Sequence, residues 1–267
     1  MSSSILQTEE IMISIISTFY NDKEMARLVM DSVLSQTYGD IEHVITDGGS
    51  SDGSVELYES YEQKYAEAGK RLVWKSERDK GLYDGFNKAA NLATGDYMLV
   101  CTDPYVSSTV IEQMMATVTE GDYDYIYGGM IFQKDGKIVR IWSGKPGNWR
   151  LGWMAATPTL LMKKSVWEAH GGFDTNYISA ADYKVQISIF KDKSLRSTSL
   201  QKPLINYYAG GTSNNGIKGK LLSIKECGRI LRECHVRFGW LTNMCKTFIA
   251  LFAYTFASRK KTEFTER

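Results

Sequence analysis

Residues 41–54, IEHVITDGGSSDGS, decide the fold class of this chain. The run at 41–46 is rich in β-branched side chains, although it also contains Glu42 and His43, and it predicts a strand. A turn rich in Gly, Ser and Asp follows it, and residues 54–69 then predict a helix. A strand, a polar turn and a helix in this order form the repeating unit of a parallel α/β sheet.

The same alternation continues on both sides of this stretch. Strands are predicted at 11–19 (IMISIISTF), 71–75 (RLVWK) and 96–101 (DYMLVC), and helices at 23–36 and 82–93. We therefore predict an α/β fold with an open, mostly parallel, Rossmann-like sheet and helices on both faces. Ligands of such sheets bind beyond the carboxyl ends of the strands. The polar clusters of this sequence fall at those ends, at 18–21, 47–52, 77–81 and 102–103.

The second half of the chain has a different pattern. From about residue 120 the segments YDYIYGGMIF, KIVRIW and NWRLGWM are short and aromatic-rich, which predicts antiparallel strands and loops that wall a site. Short helices are predicted at 163–170 and 182–192. After residue 215 the sequence becomes basic and helical.

Composition and charge exclude several classes of protein. The 267 residues carry a net charge of +1, which gives no overall electrostatic bias towards nucleic acid. The four cysteines form no CxxC pair, which favours reduced thiols over a disulfide framework or a zinc site. The first residues lack the pattern of a secretory signal, and no apolar window is long enough to span a bilayer. We expect the protein to be cytoplasmic.

The turn at 46–54 has two interpretations. It can be a well-capped connection from a strand to a helix, because Ser and Asp are favoured cap residues and Gly permits positive φ. The same turn, at the carboxyl end of the second strand, can also offer Asp47 to a nucleotide base or ribose. It matches neither a phosphate-binding loop nor a dinucleotide fingerprint.

A second polar segment, 76-SERDKGLYDGFNK-88, also has two interpretations. Its charges can belong to a solvated helix start. At the edge of the sheet, however, Lys80 and the helix N-terminus can meet a diphosphate. Asp84, Asn87 and Lys88 share one helical face by their i+3 and i+4 spacing.

Four motifs in order, STFYN, TDGGSSDGS, SERDKGLYDGFNKA and ATGDY, resemble inverting family 2 glycosyltransferases of the GT-A fold. The resemblance is closest to the branch that builds bacterial surface polysaccharides, and it extends from about residue 11 to 213. It implies that Thr18 and Tyr20 lie near a uracil, Asp47 on the base, and Asp79 and Lys80 by the ribose and diphosphate. The donor-binding residues implied are Thr18, Tyr20, Asn21, Asp47, Gly48, Gly49, Ser50, Asp52, Arg78, Asp79, Lys80, Asp84, Asn87, Lys88, Thr102 and Asp103.

The resemblance also supplies a catalytic base. The segment 157–187, TPTLLMKKSVWEAHGGFDTNYISAADYKVQI, is similar to the family's acceptor-side segment, in which Asp182 matches the base. An inverting transfer needs such a carboxylate to take the proton of the acceptor hydroxyl. The alternative is that Asp182 caps the following helix. Tyr208, Gly210, Gly211 and Ser213 resemble the family's closing YxxGGxS turn.

Three positions depart from the family pattern. The fourth strand ends in Cys101-Thr102-Asp103-Pro104, where relatives carry a DxD-like cluster that holds Mg²⁺ or Mn²⁺. Asp103 is then the one candidate metal ligand, although Mg²⁺ can use one or two carboxylates with phosphate and water. Alternatively, Lys80, Arg78 and the helix N-terminus replace the metal. Thr157 stands where relatives commonly place histidine, and residues 186–188 lack the arginine that many relatives carry.

The sequence divides into a catalytic domain at 1–215, with a nucleotide-sugar half at 11–105 and an acceptor half at 106–215, and a basic helical tail at 216–267. The tail's apolar stretch at 247–257 is flanked by basic residues, which is typical of a segment lying on an anionic membrane. Packing on the catalytic domain or on a dimer partner is the alternative.

The resemblance implies a UDP-sugar donor, a lipid-linked oligosaccharide acceptor and action at the cytoplasmic face of the inner membrane. A catalytically lapsed domain that only binds a nucleotide sugar or a partner is the rival hypothesis.

Overall fold

The computed structural model describes residues 11–134, 136–208 and 216–257. In its first half strands and helices alternate strictly, as the sequence predicts. These elements are β1 (Ile13–Phe19), α1 (Lys23–Leu34), β2 (Ile41–Asp47), α2 (Ser54–Glu67), β3 (Arg71–Ser76), α3 (Leu82–Leu92) and β4 (Tyr97–Val100).

The second half combines strands and shorter helices. Its elements are α4 (Val110–Gly121), β5 (Tyr125–Lys134), β6 (Lys137–Trp142), β7 (Leu161–Lys163), α5 (Lys164–Ala169), α6 (Ala181–Lys191) and β8 (Ser197–Tyr208). The predicted antiparallel pairing of YDYIYGGMIF with KIVRIW is confirmed as β5 and β6. The predicted strand-or-loop segment NWRLGWM contains a 3₁₀ turn at Trp149–Leu151. The sequence pattern predicted neither α4 nor β8.

The eight strands that the structure describes belong to one sheet with the order β3-β2-β1-β4-β7-β5-β6, and β8 pairs with β5. Strands β1 to β4 are mutually parallel, and β8 runs parallel to β5. The short strand β7 joins the two halves because it is antiparallel to both β4 and β5. The predicted α/β fold with a mostly parallel sheet is therefore confirmed.

The hydrophobic core lies on both faces of this sheet. Successive side chains of a strand point to opposite faces. Accordingly, Ile15 of β1 packs in one cluster with α1, and Ile16 packs in another with α3 and α6. Strand β2 is buried along its whole length, as expected for a parallel strand covered on both sides.

Two helices follow residue 215: α7 (Gly216–Glu233) and α8 (Gly239–Ala257). This confirms the helical tail. Helix α7 packs on α6 and buries Cys227, Ile230 and Leu231 in the second core cluster. None of the described helices is long and apolar enough to cross a membrane. All four cysteines are unpaired, as predicted. The division of the chain at 215 stays a prediction, as does its division at 105.

Candidate active site

The carboxyl ends of the first three parallel strands lie side by side. The strand register aligns Phe19 at the end of β1 with Asp47 at the end of β2, and Asp47 with Ser76 at the end of β3. The polar segments that follow these strands therefore meet at one edge of the sheet. This is the edge at which open α/β sheets bind ligands.

Asp47 is the centre of this edge and is only 1% exposed. Its Oδ2 accepts hydrogen bonds from the backbone N–H groups of Gly49 and Ser50, at 3.0 and 2.8 Å, and from the Ser76 hydroxyl at 2.7 Å. Its Oδ1 accepts from the hydroxyls of Ser50 and Tyr58. A carboxylate has about four acceptor positions, so the protein itself fills those of Asp47. These bonds hold the turn internally, whereas the N-cap of α2 is Gly53, which has no capping side chain. The contact of Asp47 with a base stays a prediction.

The loop after β1 is tied to the turn after β2. Asn21 has a left-handed backbone with φ of 49°, donates its backbone N–H to Ser50 Oγ and accepts the backbone N–H of Ser51. Asp52 accepts the backbone N–H of Lys23 at 2.9 Å. These bonds fix the two loops as one surface.

Thr18, Tyr20 and Asp79 converge on two glycines. A Cβ at Gly85 would lie 2.3 Å from Thr18 Oγ1, and one at Gly48 would lie 3.0 Å from Asp79 Oδ2 and 3.2 Å from the Tyr20 ring. Glycine at position 85 therefore lets α3 approach Thr18, whereas at Gly48 a Cβ would be tight and its neighbours would have to shift slightly. Thr18, Tyr20, Gly48 and Asp79 are brought together as the resemblance implies.

Two exposed cations lie at this edge. Arg78 and Lys80 are exposed, and neither forms an ion pair with any residue that the structure describes. The backbone around them is held, because Asp84 accepts the N–H of Lys80 and Asp79 accepts the N–H of Gly81. Free cations at the edge can compensate the charge of a diphosphate.

Asn87 and Lys88, both implied to be donor residues, are bonded elsewhere. The Asn87 amide donates to the carbonyl of Phe173 and accepts its N–H, at 2.7 and 3.0 Å. Lys88 Nζ contacts Glu77, Asp84 and the carbonyl of Arg78. Asn87 therefore links α3 to the acceptor-side segment by hydrogen bonds, and Lys88 stabilises the loop at 77–78 that precedes α3. Donor contact by either residue stays a prediction, and it would require these bonds to be exchanged.

Asp182 lies in the first turn of α6, facing α3. Its Oδ1 accepts from the Tyr83 hydroxyl at 3.1 Å and from the backbone N–H of Tyr183 at 2.9 Å, and its Oδ2 accepts from the Thr157 hydroxyl at 3.0 Å. Thr157 in turn accepts the side-chain amide of Gln186 at 3.0 Å. Burial, followed by the charge of Asp182, raises the pKa of Tyr83 well above its usual value, so Tyr83 remains a neutral donor.

Tyr83 and Thr157 as partners of Asp182, and Gln186 as the partner of Thr157, were not predicted from the sequence. Tyr83 is 99 residues away from Asp182 in the chain, and no local spacing signals that contact. Thr157 and Gln186 were noted only as departures from the family pattern. The structure brings these two departures into direct contact beside Asp182.

Asp103 is buried at the end of β4. It accepts the Thr102 hydroxyl at 2.7 Å and the backbone N–H of Tyr208 at 3.1 Å. Burial raises its pKa, and the charge of Asp22 adds to that rise against these two hydrogen bonds. Within the described ranges, no three His, Cys, Asp or Glu side chains gather to hold a metal ion. One carboxylate with both oxygens already bonded does not fit a metal site held by the protein alone.

Comparisons with known proteins find related sequences and folds. A PGL/p-HBAD biosynthesis glycosyltransferase of Mycobacterium bovis BCG is 25% identical over 223 residues, which cover 78% of this chain and 81% of the relative. The structure of S. aureus TarS 1-349 with UDP-GlcNAc superposes with a TM-score of 0.68 at 15% identity, over 95% of this chain and 77% of that one.

The mannosyltransferase PcManGT of Pyrobaculum calidifontis, in complex with GDP-Man and Mn²⁺, gives a TM-score of 0.64 at 14% identity. It covers 96% of this chain, which in turn covers 77% of that protein. Both structures confirm the GT-A fold. The model of glycosyl transferase family 2 matches residues 14–176, more than half of the chain. This protein therefore belongs to glycosyltransferase family 2.

Proposed function

We propose that this enzyme transfers a sugar, with inversion, from a UDP-sugar to a hydroxyl of a lipid-linked saccharide in surface polysaccharide assembly. The observation that carries the proposal is the position of Asp182, which faces the donor-side helix α3 and is held by Tyr83 and Thr157. The S. aureus neighbour binds UDP-GlcNAc, and the mycobacterial relative is named for PGL/p-HBAD biosynthesis. Both support a UDP-sugar donor and a cell-envelope acceptor.

The hydrogen bonds of Asp182 leave one oxygen available for the acceptor. Oδ1 already accepts two bonds, whereas Oδ2 accepts only that of Thr157. Because each carboxylate oxygen has about two acceptor positions, Oδ2 is the atom that can receive the acceptor's hydroxyl. As Oδ2 takes the proton, the acceptor oxygen bonds to the anomeric carbon from the face opposite the diphosphate. The bond from that carbon to the diphosphate then breaks, and UDP leaves with the electron pair.

The protein's own cations compensate the leaving group in this proposal. Arg78 and Lys80 stand at the strand-end edge without ion pairs among the described residues. Charge compensation of a leaving group commonly contributes several kcal/mol, about 3 or more, to the barrier. No step is assigned to a metal ion, since Asp103 alone does not form a site for one.

The test is UDP release by wild-type protein and by Asp182→Asn. A panel of UDP-glucose, UDP-galactose and UDP-N-acetylglucosamine is first screened by thermal shift, because a bound donor stabilises the folded state by mass action. Sustained UDP release is expected from the wild type. Asp182→Asn should bind UDP equally well and release it about 10²-fold more slowly, the scale of a lost general base. Wild-type turnover in this variant would remove Asp182 from the mechanism.

A second candidate is a lapsed domain that binds a nucleotide sugar without transferring it. The observation that favours it is the single carboxylate at the end of β4, whose oxygens are both bonded within the protein. The same assay separates the two functions. A stabilising donor with no UDP release, with or without Mn²⁺, would establish the lapsed domain.

We also propose that the tail docks the enzyme on the anionic cytoplasmic face of the inner membrane. Residues 216–267 contain eleven Lys or Arg and four Glu. Large apolar side chains are exposed on α7, α8 and their connection, with Trp240 66% and Phe248 53% exposed. Exposed aromatic residues together with basic charge are typical of interfacial segments.

Sedimentation with vesicles tests this docking. Binding to vesicles containing phosphatidylglycerol but not to pure phosphatidylcholine is expected, with a clear loss for Trp240→Ser. Equal pelleting of wild type and Trp240→Ser would refute the membrane face. A dimer in light scattering that Trp240→Ser converts to monomer would instead assign this face to a second copy of the chain.

A further inference from the structure

Helix α7 is packed directly beside the segment that carries Asp182. Its Cys227, Ile230 and Leu231 are at most 1% exposed and share a core cluster with Tyr177 and Tyr183, on either side of Asp182. Although the sequence assigns this helix to a tail, its inner face belongs to the interior of the acceptor-side half. A change in α7 therefore reaches the base through direct contacts.

Glu226 of α7 fixes the loop immediately before Asp182. Its carboxylate is only 8% exposed and accepts the backbone N–H groups of Ile178 and Ser179, both at 2.9 Å, on separate oxygens. The Ser179 hydroxyl adds a third bond at 3.1 Å. Hydrogen bonds to a charged acceptor away from water are the strong kind, so the loop conformation depends on this carboxylate.

Helix α6 begins directly after the loop that Glu226 holds. Its N-cap residue, Ala180, has no side chain that could cap the helix. Asp182 stands in the first turn, three residues after Ser179. The place of the Asp182 carboxylate therefore depends on the loop that Glu226 holds as well as on the hydrogen bonds from Tyr83 and Thr157.

Glu233, two turns further along α7, holds residues on both sides of Asp182. It accepts the Tyr177 hydroxyl at 2.6 Å and pairs with Lys184 Nζ at 3.0 Å. Lys184 also pairs with Asp174 at 2.6 Å. These contacts are more exposed than those of Glu226, so they are screened by solvent and contribute less.

We infer that Glu226 is a positioning residue for the catalytic base, which makes helix α7 part of the active site. The inference rests on the proposed role of Asp182. Among the described residues, Glu226 forms no hydrogen bond with Asp182 itself, although its charge acts on Tyr83, which donates a hydrogen bond to Asp182. It acts by fixing the backbone from which Asp182 projects, and a misplacement of about 1 Å in a reacting group can cost about 10²-fold in rate.

Glu226→Gln tests the inference with little change of shape. The amide keeps one acceptor oxygen, so it cannot accept the N–H groups of both Ile178 and Ser179. Lys225→Gln is the matched control, because Lys225 is the exposed neighbour on the same helix and the substitution also removes one charge. The probe is hydrolysis of the UDP-sugar that gives the largest thermal shift, with water in the place of the acceptor.

For Glu226→Gln we expect kcat to fall about 10- to 100-fold, with the donor KM and the UDP dissociation constant within twofold of wild type. The pH profile of kcat should also shift, which a mere loss of folded protein would not produce. Lys225→Gln should match the wild type in every measurement.

A wild-type kcat and pH profile in Glu226→Gln, together with a slow Asp182→Asn, would overturn this inference alone. A wild-type rate in Asp182→Asn would instead refute the proposed base. If Glu226→Gln does not fold, Ser179→Ala takes its place, since it removes only the hydroxyl bond. A kcat lowered about threefold with an unchanged donor KM is then expected, and an unchanged kcat would overturn the inference.

Discussion

Thr157→Val isolates one hydrogen bond to the proposed base. Valine has nearly the shape of threonine, so the substitution removes the hydroxyl that donates to Asp182 Oδ2 at 3.0 Å. It also leaves the side-chain amide of Gln186 without the acceptor that it reaches at 3.0 Å. A hydrogen bond to a charged group contributes about 1.5–3 kcal/mol. Because about 1.4 kcal/mol corresponds to tenfold in rate, we expect kcat to fall about 10- to 100-fold.

The assay is steady-state UDP release from the stabilising UDP-sugar, measured with the UDP dissociation constant and the melting temperature. Thr157→Ser is the control, because it keeps the hydroxyl and should retain kcat within about threefold. The UDP dissociation constant should be unchanged in both variants, since Thr157 lies on the acceptor side. Equal kcat values in Thr157→Val and Thr157→Ser would refute the role assigned to this hydroxyl.

Three further predictions concern the donor edge, the core and the metal. Asp47→Asn should lower the free energy of unfolding by about 2–4 kcal/mol, because five donors converge on that carboxylate; it should also weaken UDP binding by about 1–3 kcal/mol. Unchanged urea unfolding would contradict the first effect, and an unchanged UDP dissociation constant the second. Burial lowers the pKa of His43 to about 3. Between pH 8 and pH 5 this imidazole therefore takes up a proton in the unfolded chain but stays neutral in the folded one. The free energy of unfolding of the wild type should fall by about 2 kcal/mol from pH 8 to pH 5, and that of His43→Gln should fall less. Identical decreases in urea unfolding would refute a neutral His43. Because Asp103 is the one carboxylate in the segment directly after β4, Mn²⁺ should bind chiefly through the phosphates of UDP. Calorimetry should therefore show tighter Mn²⁺ binding with UDP than without it, and equal affinities would indicate a metal site formed by the protein alone.

The sequence by itself determined the architecture of the donor half. Strands β1 and β4 are mostly apolar, β2 and β3 combine β-branched or aromatic side chains with polar ones, and the strands alternate with helices as in a parallel α/β sheet. Their carboxyl ends meet at one edge because parallel strands all point the same way. The convergence of Thr18, Asp47 and Asp79 therefore follows from chain order and strand direction.

Local pattern predicted less of the acceptor half. Strand β8 was missed because its pairing with β5 spans about 70 residues and leaves no local spacing. Helix α4 was missed although its buried residues have helical spacing. The motif resemblance, and not periodicity, pointed to Asp182. The membrane role of the tail and the donor contacts themselves stay predictions.

Only the tertiary structure decided what surrounds these residues. Asn87 and Lys88 lie in a motif that implies donor contact, yet their polar atoms are bonded to Phe173 and Glu77. Tyr83 reaches Asp182 across 99 residues, and Glu226 reaches Ser179 across 47. A hydrogen bond forms where two polar groups meet within about 3 Å. Sequence patterns specify which face of an element is buried, whereas these long-range hydrogen bonds depend on how the elements pack against one another.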